Sequence, residues 1–175
     1  MELKKTPGEP DDHGLGRSRG GFSSKIHLVC DGNGNPLGAV ISGGHRHDSA
    51  MLEETLESVS IPGVMRKNKN RAGMMLADKG YDSLNIRSYL RSRRMVAVIP
   101  SRGLRPGARN RRRGPKPKLK MDHYKERNII ERLIGWLKNC RRIATRFEKY
   151  ASSFLTMVKL AFIKFLLKKH FSDTT

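Results

Sequence analysis

The first alternation of apolar and polar positions in the chain begins after Phe22. Residues 25–30 partly alternate, residues 32–35 are turn-forming Gly and Asn, and an apolar run follows at 37–41. Two such runs separated by a turn predict a β-hairpin. Residues 1–21 are rich in Gly, Pro and charge without apolar periodicity, so they predict a loop or a disordered leader.

The middle of the chain predicts helices that alternate with strands. Asp48 stands where an N-cap belongs, ahead of a short amphipathic helix. The apolar positions of that helix are Met51, Leu52, Leu56 and Val59. An apolar run at 74–77 predicts a strand that ends at Asp78, and a helix at about 83–94 and a strand at 95–99 follow. This order predicts an α/β fold with a partly parallel sheet.

The C-terminal third predicts two longer helices, at about 123–139 and about 153–169. The apolar positions of the second helix are Phe154, Leu155, Val158, Leu160, Phe162, Phe165 and Leu166. Four lysines interrupt this apolar set: Lys159, Lys164, Lys168 and Lys169. A helix that lies on a membrane surface is therefore an alternative, but we favour a packed C-terminal helix.

The charge of the chain indicates a polyanionic partner. Lys and Arg number 36 against 16 Asp and Glu, which gives a formal net charge of +20 over 175 residues. Nucleic acid is the first candidate, because a row of phosphates attracts many cations at once, and an anionic membrane surface is the second. Since no apolar run could span a membrane and residues 1–10 hold no apolar signal region, we expect a cytoplasmic protein without a membrane partner.

Two further features of the composition narrow the chemistry. Cys30 and Cys140 belong to no CxxC pattern, so they indicate neither a disulfide framework nor a zinc finger. Residues 91–120 hold twelve Lys or Arg and no acidic residue, and Gly and Pro recur in their second half. We expect a basic, flexible loop at 101–120 that contacts DNA phosphates through Arg111, Arg112 and Arg113, with a solvated tail as the alternative.

The helix predicted at 123–139 carries the candidate chemistry. On a helical wheel four polar residues share one stripe: Tyr124, Arg127, Glu131 and Lys138. The opposite face is apolar and consists of Ile129, Ile130, Leu133, Ile134, Trp136 and Leu137. Glu126 falls within the apolar face, which makes it the poorer candidate for an open site. A simple ion pair between Glu131 and Arg127 on a solvated face is the alternative interpretation.

Two carboxylates with a long basic loop between them suit metal-assisted phosphodiester chemistry. Asp78 is predicted at the end of a strand and Glu131 on a later helix. Mg²⁺ prefers carboxylate oxygen and takes substrate phosphate as a further ligand. A second cluster, His45, His47 and Asp48, fits no common zinc spacing, so we favour a structural role for it.

The four polar residues of the predicted helix, Tyr124, Arg127, Glu131 and Lys138, are separated by two, three and six residues. This spacing resembles the Y-R-E-K signature of DDE-type transposases of bacterial insertion sequences. Other segments are similar to the fifth insertion-sequence family within the IS-four-like group. They are residues 76–82, residues 141–146, and residues 16–21 with 24–27 just after them. The resemblance covers roughly residues 16–149. It identifies the chain as the C-terminal catalytic part of such a transposase.

The resemblance implies an RNase H-like core, a mixed sheet flanked by helices, in which three carboxylates hold two Mg²⁺ ions, with Mn²⁺ as a substitute. Asp78 and Glu131 would be two of these catalytic metal ligands. Tyr124, Arg127 and Lys138 would contact DNA or position Glu131, and Arg141 and Arg142 would contact DNA. The implied function is DNA transposition, in which an oligomer on double-stranded DNA, in the bacterial nucleoid, cleaves terminal inverted repeats and joins them to target DNA.

One part of the family pattern is not found. The first catalytic aspartate is expected on a strand upstream of residues 16–21, and only fifteen residues precede Gly16. Asp11 and Asp12 have turn-like neighbours, so we interpret them as solvated loop residues. We therefore expect a core without its first strand, which is inactive alone unless an upstream transposase fragment, joined by frameshifting, supplies that strand.

The expected organisation is a flexible leader at 1–20, a partial RNase H-like domain at 21–150 and a C-terminal helix at 151–175. The alternative functions are a non-catalytic DNA-binding remnant or another basic nucleic-acid-binding protein. Aromatic residues make up only 6% of the chain and no RRM, KH or zinc-finger pattern is present, which counts against the latter.

Overall fold

A computed structural model of the chain describes residues 12–59, 73–101 and 124–172. The chain divides into two compact units. The first unit combines residues 1–59 with residues 130–175, and the second consists of residues 60–129. The first unit is thus built from two stretches that are far apart in the sequence.

A three-stranded antiparallel sheet forms the centre of the first unit. Its strands are β1 (Gly16–Ser18), β2 (Gly21–Cys30) and β3 (Pro36–Gly43), in the order β1-β2-β3. The turn between β2 and β3 is organised by Asp31, whose Oδ1 accepts hydrogen bonds from the backbone N–H groups of Asn33 and Asn35. The predicted hairpin is therefore confirmed.

The structure differs from the sequence prediction within the expected leader. Gly16–Ser18 forms strand β1, because the N-terminal end of β2 offers it unpaired backbone groups. Asp12 is not merely a solvated loop residue either: its carbonyl accepts from Ala151 N at 2.8 Å, and its Oδ2 accepts from Ser152 N at 3.4 Å. The first N–H groups of a helix need such acceptors from outside the helix.

One face of the sheet meets a short helix. A 3-10 turn (Asp48–Met51) leads into α1 (Leu52–Glu57), close to the helix predicted there. The prediction that Asp48 is an N-cap is wrong, because His47 precedes the turn and neither side chain caps it. The Asp48 carboxylate instead accepts a hydrogen bond from Lys25 Nζ on β2 at 3.0 Å.

Three helices complete the first unit: α3 (Asn128–Lys138), most of which belongs to this unit, α4 (Arg141–Ala144) and α5 (Ala151–Ser172). Their buried core residues, with one from β3, are Ala39, Leu137, Ile143, Phe154, Val158, Ala161 and Phe162. Ile26 and Leu28 of β2 and Ile41 of β3 pack against this cluster. The C-terminal helix is thus a packed helix, as predicted.

Among the described residues, one side of α5 packs against the rest of the first unit and the other side is exposed. Leu160 and Leu166, which the sequence assigns to the apolar set of this helix, are exposed, and so are Ile163, Leu167 and Phe171. A helix that packs on a sheet buries one face, which here contains Phe154 and Val158. Within the described residues, no helix combines the length and the apolar character needed to cross a bilayer.

The described residues of the second unit include a parallel pair of strands and a helix. Strand β4 (Met74–Leu76) pairs with β5 (Val96–Val98), and α2 (Leu84–Ser92) connects them. Ser83 caps α2 through a hydrogen bond that its Oγ accepts from Ile86 N at 3.2 Å. The α/β class is confirmed. The described strands form two separate sheets, one antiparallel and one parallel, and not the single partly parallel sheet that the order of elements predicts.

Candidate metal and nucleic-acid site

Asp78 is exposed two residues after the C-terminal end of β4. Its Oδ1 accepts a hydrogen bond from Lys79 N, so the carboxylate caps the 3-10 turn Lys79–Tyr81. The turn is closed by a further bond from Tyr81 N to the carbonyl of Asp78 at 2.9 Å. The carboxyl ends of parallel strands are where open α/β sheets place their ligands. The predicted position of this candidate residue is confirmed.

A buried ion pair, which the sequence reasoning missed, fixes the chain just after Asp78. Arg87 Nε donates to Asp82 Oδ1 at 2.9 Å, and Arg87 Nη2 donates to the carbonyl of Ile99 at 2.8 Å. The Asp82 side chain is fully buried. The only sequence signal for this pair is an acidic residue directly before the N-cap of a helix, with an arginine in the first turns of that helix.

Glu131 lies on the exposed side of α3, and Lys138 is exposed near its end. Leu133 and Leu137 of the same helix are buried. The amphipathic character of this helix is therefore as predicted. Ile134, which the wheel assigns to the apolar face, is 36% exposed and lies at the edge of that face.

The start of this helix differs from the prediction. Tyr124 and Lys125 are helical, Glu126 and Arg127 form a turn, and α3 begins only at Asn128. Arg127 N bonds to the carbonyl of Tyr124 at 3.1 Å, a tighter i to i−3 contact than an α-helix makes. The assignment of Glu126 to a buried face is therefore wrong, because this residue lies in the turn and is exposed.

The aromatic and basic members of the signature contact each other. The Arg127 guanidinium carbon lies 5.6 Å from the centre of the Tyr124 ring, which is cation–π distance. Both side chains are partly buried. The interaction orders the guanidinium just before α3.

Other predicted DNA-binding residues fall in two places. Arg141 and Arg142 are exposed on α4, where Arg142 Nη1 lies 4.0 Å from Glu148 Oε1. This distance leaves the pair weak in solvent. Arg111, Arg112 and Arg113 lie outside the described residues.

The two candidate metal ligands belong to different compact units, Asp78 to the second and Glu131 to the first. In the described ranges, no group of three His, Cys, Asp or Glu side chains is arranged to hold a metal ion. Two exposed carboxylates offer the hard oxygen donors that Mg²⁺ prefers. The donor chemistry of each carboxylate, taken by itself, therefore fits a divalent cation.

Three other side chains of metal-binding types, His47, Asp48 and Cys30, are less suited to hold a cation. His47 Nδ1 hydrogen-bonds to Ser49 Oγ at 3.0 Å, and Asp48 pairs with Lys25. Cys30 is a half-buried free thiol, and burial raises its pKa to about 11. A thiol with such a pKa stays protonated and is a poor ligand or nucleophile at neutral pH.

The sequence model of the family described as "Transposase DDE domain" matches residues 3–166. The chain belongs to this family. A protein of Burkholderia cepacia that is named as a transposase for insertion sequence element IS402 is 32% identical over 157 residues, which cover 89% of this chain. A protein of Brucella ovis named as a transposase for insertion sequence element IS6501 is 31% identical over 144 residues, or 80% of this chain.

The two relatives differ in how much of their own length is matched. This member of the DDE family spans 65% of the Burkholderia cepacia protein and 95% of the Brucella ovis protein. No solved structure matches the chain at a significant level. The family assignment therefore comes from sequence similarity over most of the chain, in agreement with the resemblance carried by its motifs.

Proposed function

We propose that the chain is the catalytic part of a DNA transposase, which cleaves DNA strands at the ends of an insertion element and joins them to target DNA. The observation that carries this proposal is the exposed carboxylate of Asp78 directly after β4, in a chain of the transposase DDE domain family. Glu131, exposed on the polar side of α3, provides the second carboxylate. Both are the residue types that phosphodiester chemistry with divalent cations uses.

In this proposal Asp78 and Glu131 hold Mg²⁺, for which Mn²⁺ can substitute. The bound metal supplies activation of the attacking oxygen and stabilisation of the leaving one. Lys138 and Arg127 contact DNA phosphates, and Tyr124 holds the Arg127 guanidinium through their cation–π contact. Arg141 and Arg142 on α4 and the basic loop with Arg111, Arg112 and Arg113 add further phosphate contacts.

The proposed fold is RNase H-like, a mixed sheet flanked by helices. Support comes from the match to the transposase DDE domain family over residues 3–166 and from the α/β class of the described residues. We place the catalytic domain at 21–150 and its basic loop at 101–120, after a leader at 1–20. The proposed C-terminal segment, residues 151–175, contains α5, which packs on β3 through Phe154 and Val158 and so stabilises the sheet.

The proposed partners are double-stranded DNA, at terminal repeats and at the target, and an upstream transposase fragment where one is encoded. We expect the active form to be an oligomer on DNA in the cytoplasm of the bacterial cell, at the nucleoid. The net charge of +20 supports the DNA partner, since releasing counterions from phosphates favours binding of such a chain.

The test is strand cleavage of a plasmid that carries both element ends, with the chain alone and mixed with the product of the upstream reading frame. We expect nicking that requires Mg²⁺ or Mn²⁺ and that falls at least about a hundredfold in Asp78→Asn and in Glu131→Gln, because each substitution removes a charged metal ligand. Electron paramagnetic resonance of added Mn²⁺ should show weaker binding in both variants.

The matched controls are Glu126→Gln, five residues before Glu131 and exposed, and Glu53→Gln on the exposed side of α1. Both should cleave like the unchanged chain. Cleavage that survives Asp78→Asn and Glu131→Gln, or that falls equally in the controls, would contradict the assigned ligands. If no mixture cleaves DNA while binding persists, the chain is the non-catalytic DNA-binding remnant that its charge also supports.

A further inference from the structure

The hairpin formed by β1 and β2 carries two exposed cations beside an exposed aromatic ring. Arg17 on β1 and Arg19 in the turn are exposed, and Phe22 is 61% exposed. Arg17 and Phe22 are register partners, so their side chains lie on the same face of the ribbon. Within the part of the chain that the structure describes, neither guanidinium forms an ion pair.

The tip of this hairpin is open on its sides and is held by hydrogen bonds within the hairpin. Apart from chain neighbours, no atom lies within 4 Å of where a Cβ would stand on Gly20 or Gly21, and Gly21 adopts a φ of +106°, which favours glycine. On the face opposite Phe22, Ser18 Oγ donates to the carbonyl of Gly21 at 2.9 Å, and Ser23 Oγ donates to Ser18 Oγ at 3.2 Å. These bonds hold the turn while its sides stay open.

The base of the hairpin is fixed to the core. Arg146 donates from Nη2 to the carbonyl of His13 at 2.6 Å and from Nη1 to Ser24 Oγ, and it lies over the ring of Phe154. Gly44 N donates to the carbonyl of Ser23 at 2.8 Å. The ribbon is therefore anchored at one end and exposed at the other, so a ligand at its tip would not have to order it.

We propose that this hairpin is a DNA-binding ribbon, in which Arg17 and Arg19 contact phosphates and Phe22 inserts at a weakened base step. The proposal rests on the transposase function given above and adds a contact outside its catalytic residues. A two-stranded ribbon fits a DNA groove, and an apolar wedge beside cations is how proteins unstack base pairs. A second copy of the hairpin is a poorer partner than DNA, because its Arg17 and Arg19 would repel those of the first copy.

The test is equilibrium binding, by fluorescence anisotropy in EDTA, to two short duplexes that differ only in a central mismatch. Insertion at a mismatch costs less unstacking, so we expect the unchanged chain to favour the mismatched duplex roughly tenfold. Phe22→Ala should lose this preference, and Phe22→Trp should keep it. Arg17→Gln and Arg19→Gln should keep the preference but weaken binding to both duplexes and reduce the salt slope by about 0.9 each.

The matched control is Phe171→Ala, which removes a ring that is 67% exposed at the end of α5. It should bind like the unchanged chain. If Phe22→Ala keeps the preference, or if it alters only self-association in sedimentation while DNA binding stays unchanged, the ribbon does not contact DNA as proposed. Thermal melting of each variant separates loss of contact from loss of folding.

This experiment separates the ribbon from the catalytic proposal. Binding in EDTA needs no metal, so Asp78→Asn and Glu131→Gln should keep the full mismatch preference. If cleavage fails in every mixture while the Phe22 dependence is present, the catalytic proposal fails and the ribbon stands. If metal-dependent cleavage is found but Phe22→Ala keeps the mismatch preference, the catalytic proposal stands and the ribbon proposal fails.

Discussion

The guanidinium of Arg87 joins Asp82 to the carbonyl of Ile99, with a bond of 2.9 Å from Nε to the Asp82 carboxylate. It thereby ties the segment that follows Asp78 to the residue that follows β5. The Asp82 carboxylate is fully buried, so its hydrogen-bonded ion pair with Arg87 offsets part of the free-energy cost of removing the carboxylate from water. The arrangement fixes the backbone on which the candidate metal ligand sits.

Replacing this arginine should be costly to the second unit. We expect Arg87→Met to lower the free energy of unfolding by about 3 kcal/mol, because it removes the hydrogen-bonded Arg87 cation from a buried carboxylate. The additional change Asp82→Asn should recover part of that loss, since it removes the buried negative charge. Urea unfolding followed by circular dichroism measures both variants.

The control for this prediction is Lys25→Met, which breaks the exposed pair between Lys25 and Asp48. Exposed pairs contribute less than about 1 kcal/mol, so this change should be mild. Equal losses in Arg87→Met and Lys25→Met would show that burial does not strengthen the first pair.

Arg146 should be irreplaceable even by lysine. Its guanidinium donates to the carbonyls of His13, Glu148 and Lys149, and burial lowers its pKa. Because an ammonium cannot reproduce this fork, Arg146→Lys should cost about 2 kcal/mol of unfolding free energy. Arg142→Lys, at an exposed arginine nearby, should change stability by less than about 0.5 kcal/mol. Thermal and urea unfolding measure the contrast.

Two glycines should respond oppositely to alanine. A Cβ on Gly38 of β3 would stand 2.6 Å from Ser58 Oγ and 3.1 Å from Val59 N, whereas one on Gly135 of α3 would meet nothing within 4 Å. Gly38→Ala should therefore destabilise the chain by about 1–3 kcal/mol, because the end of α1 must move. Gly135→Ala should stabilise it by up to about 1 kcal/mol through helix propensity. Melting temperatures that shift in the same direction would contradict this.

Acid should weaken the first unit through His27. Burial lowers the pKa of His27 below its ordinary value of 6.5, despite the opposing field of Asp48, and its Nε2 hydrogen-bonds to Ser42 Oγ at 2.7 Å. The folded chain keeps this imidazole neutral, so its contribution to stability is present above pH 6.5 and is lost as pH falls through the lower folded pKa.

The measurement is urea unfolding at several pH values between about 7 and 5. His27→Gln should flatten the decline, because its amide does not titrate. His47→Gln, at an exposed histidine, should leave the decline unchanged. A decline that persists in His27→Gln would assign it to other groups.

The sequence pattern over a few neighbouring residues was sufficient to predict the elements that such short patterns determine. The hairpin of β2 and β3, strand β4 with Asp78 after it, and the polar side of α3 each follow from alternation, a turn or helical spacing over a few residues. The pairing of β1 could not be predicted in this way, because three polar residues become a strand only when a neighbouring strand is present.

The contacts that were missed join residues far apart in the sequence. Arg146 and Ser24 are 122 positions apart, and Asp12 and Ser152 are 140 positions apart. No periodicity connects such residues. The turn at Glu126 and Arg127 was missed for a different reason, since neither proline nor glycine marks it. For the candidate site, residue type and spacing indicated Asp78 and Glu131, but not the buried pair that supports Asp78.

The split of the first unit between the two ends of the chain determines when it can assemble in the cell. The last described strand of the sheet, β3, ends at Gly43, but α5, which packs on β3, starts 108 positions later at Ala151. At ordinary translation rates the sheet must wait roughly 5 to 20 s for its cover. The second unit is a continuous stretch and can close while synthesis continues. Ribosome stalling after residue 129 would therefore leave the apolar face of the three-stranded sheet exposed to chaperones. Chains released at that point would expose the same face and would aggregate.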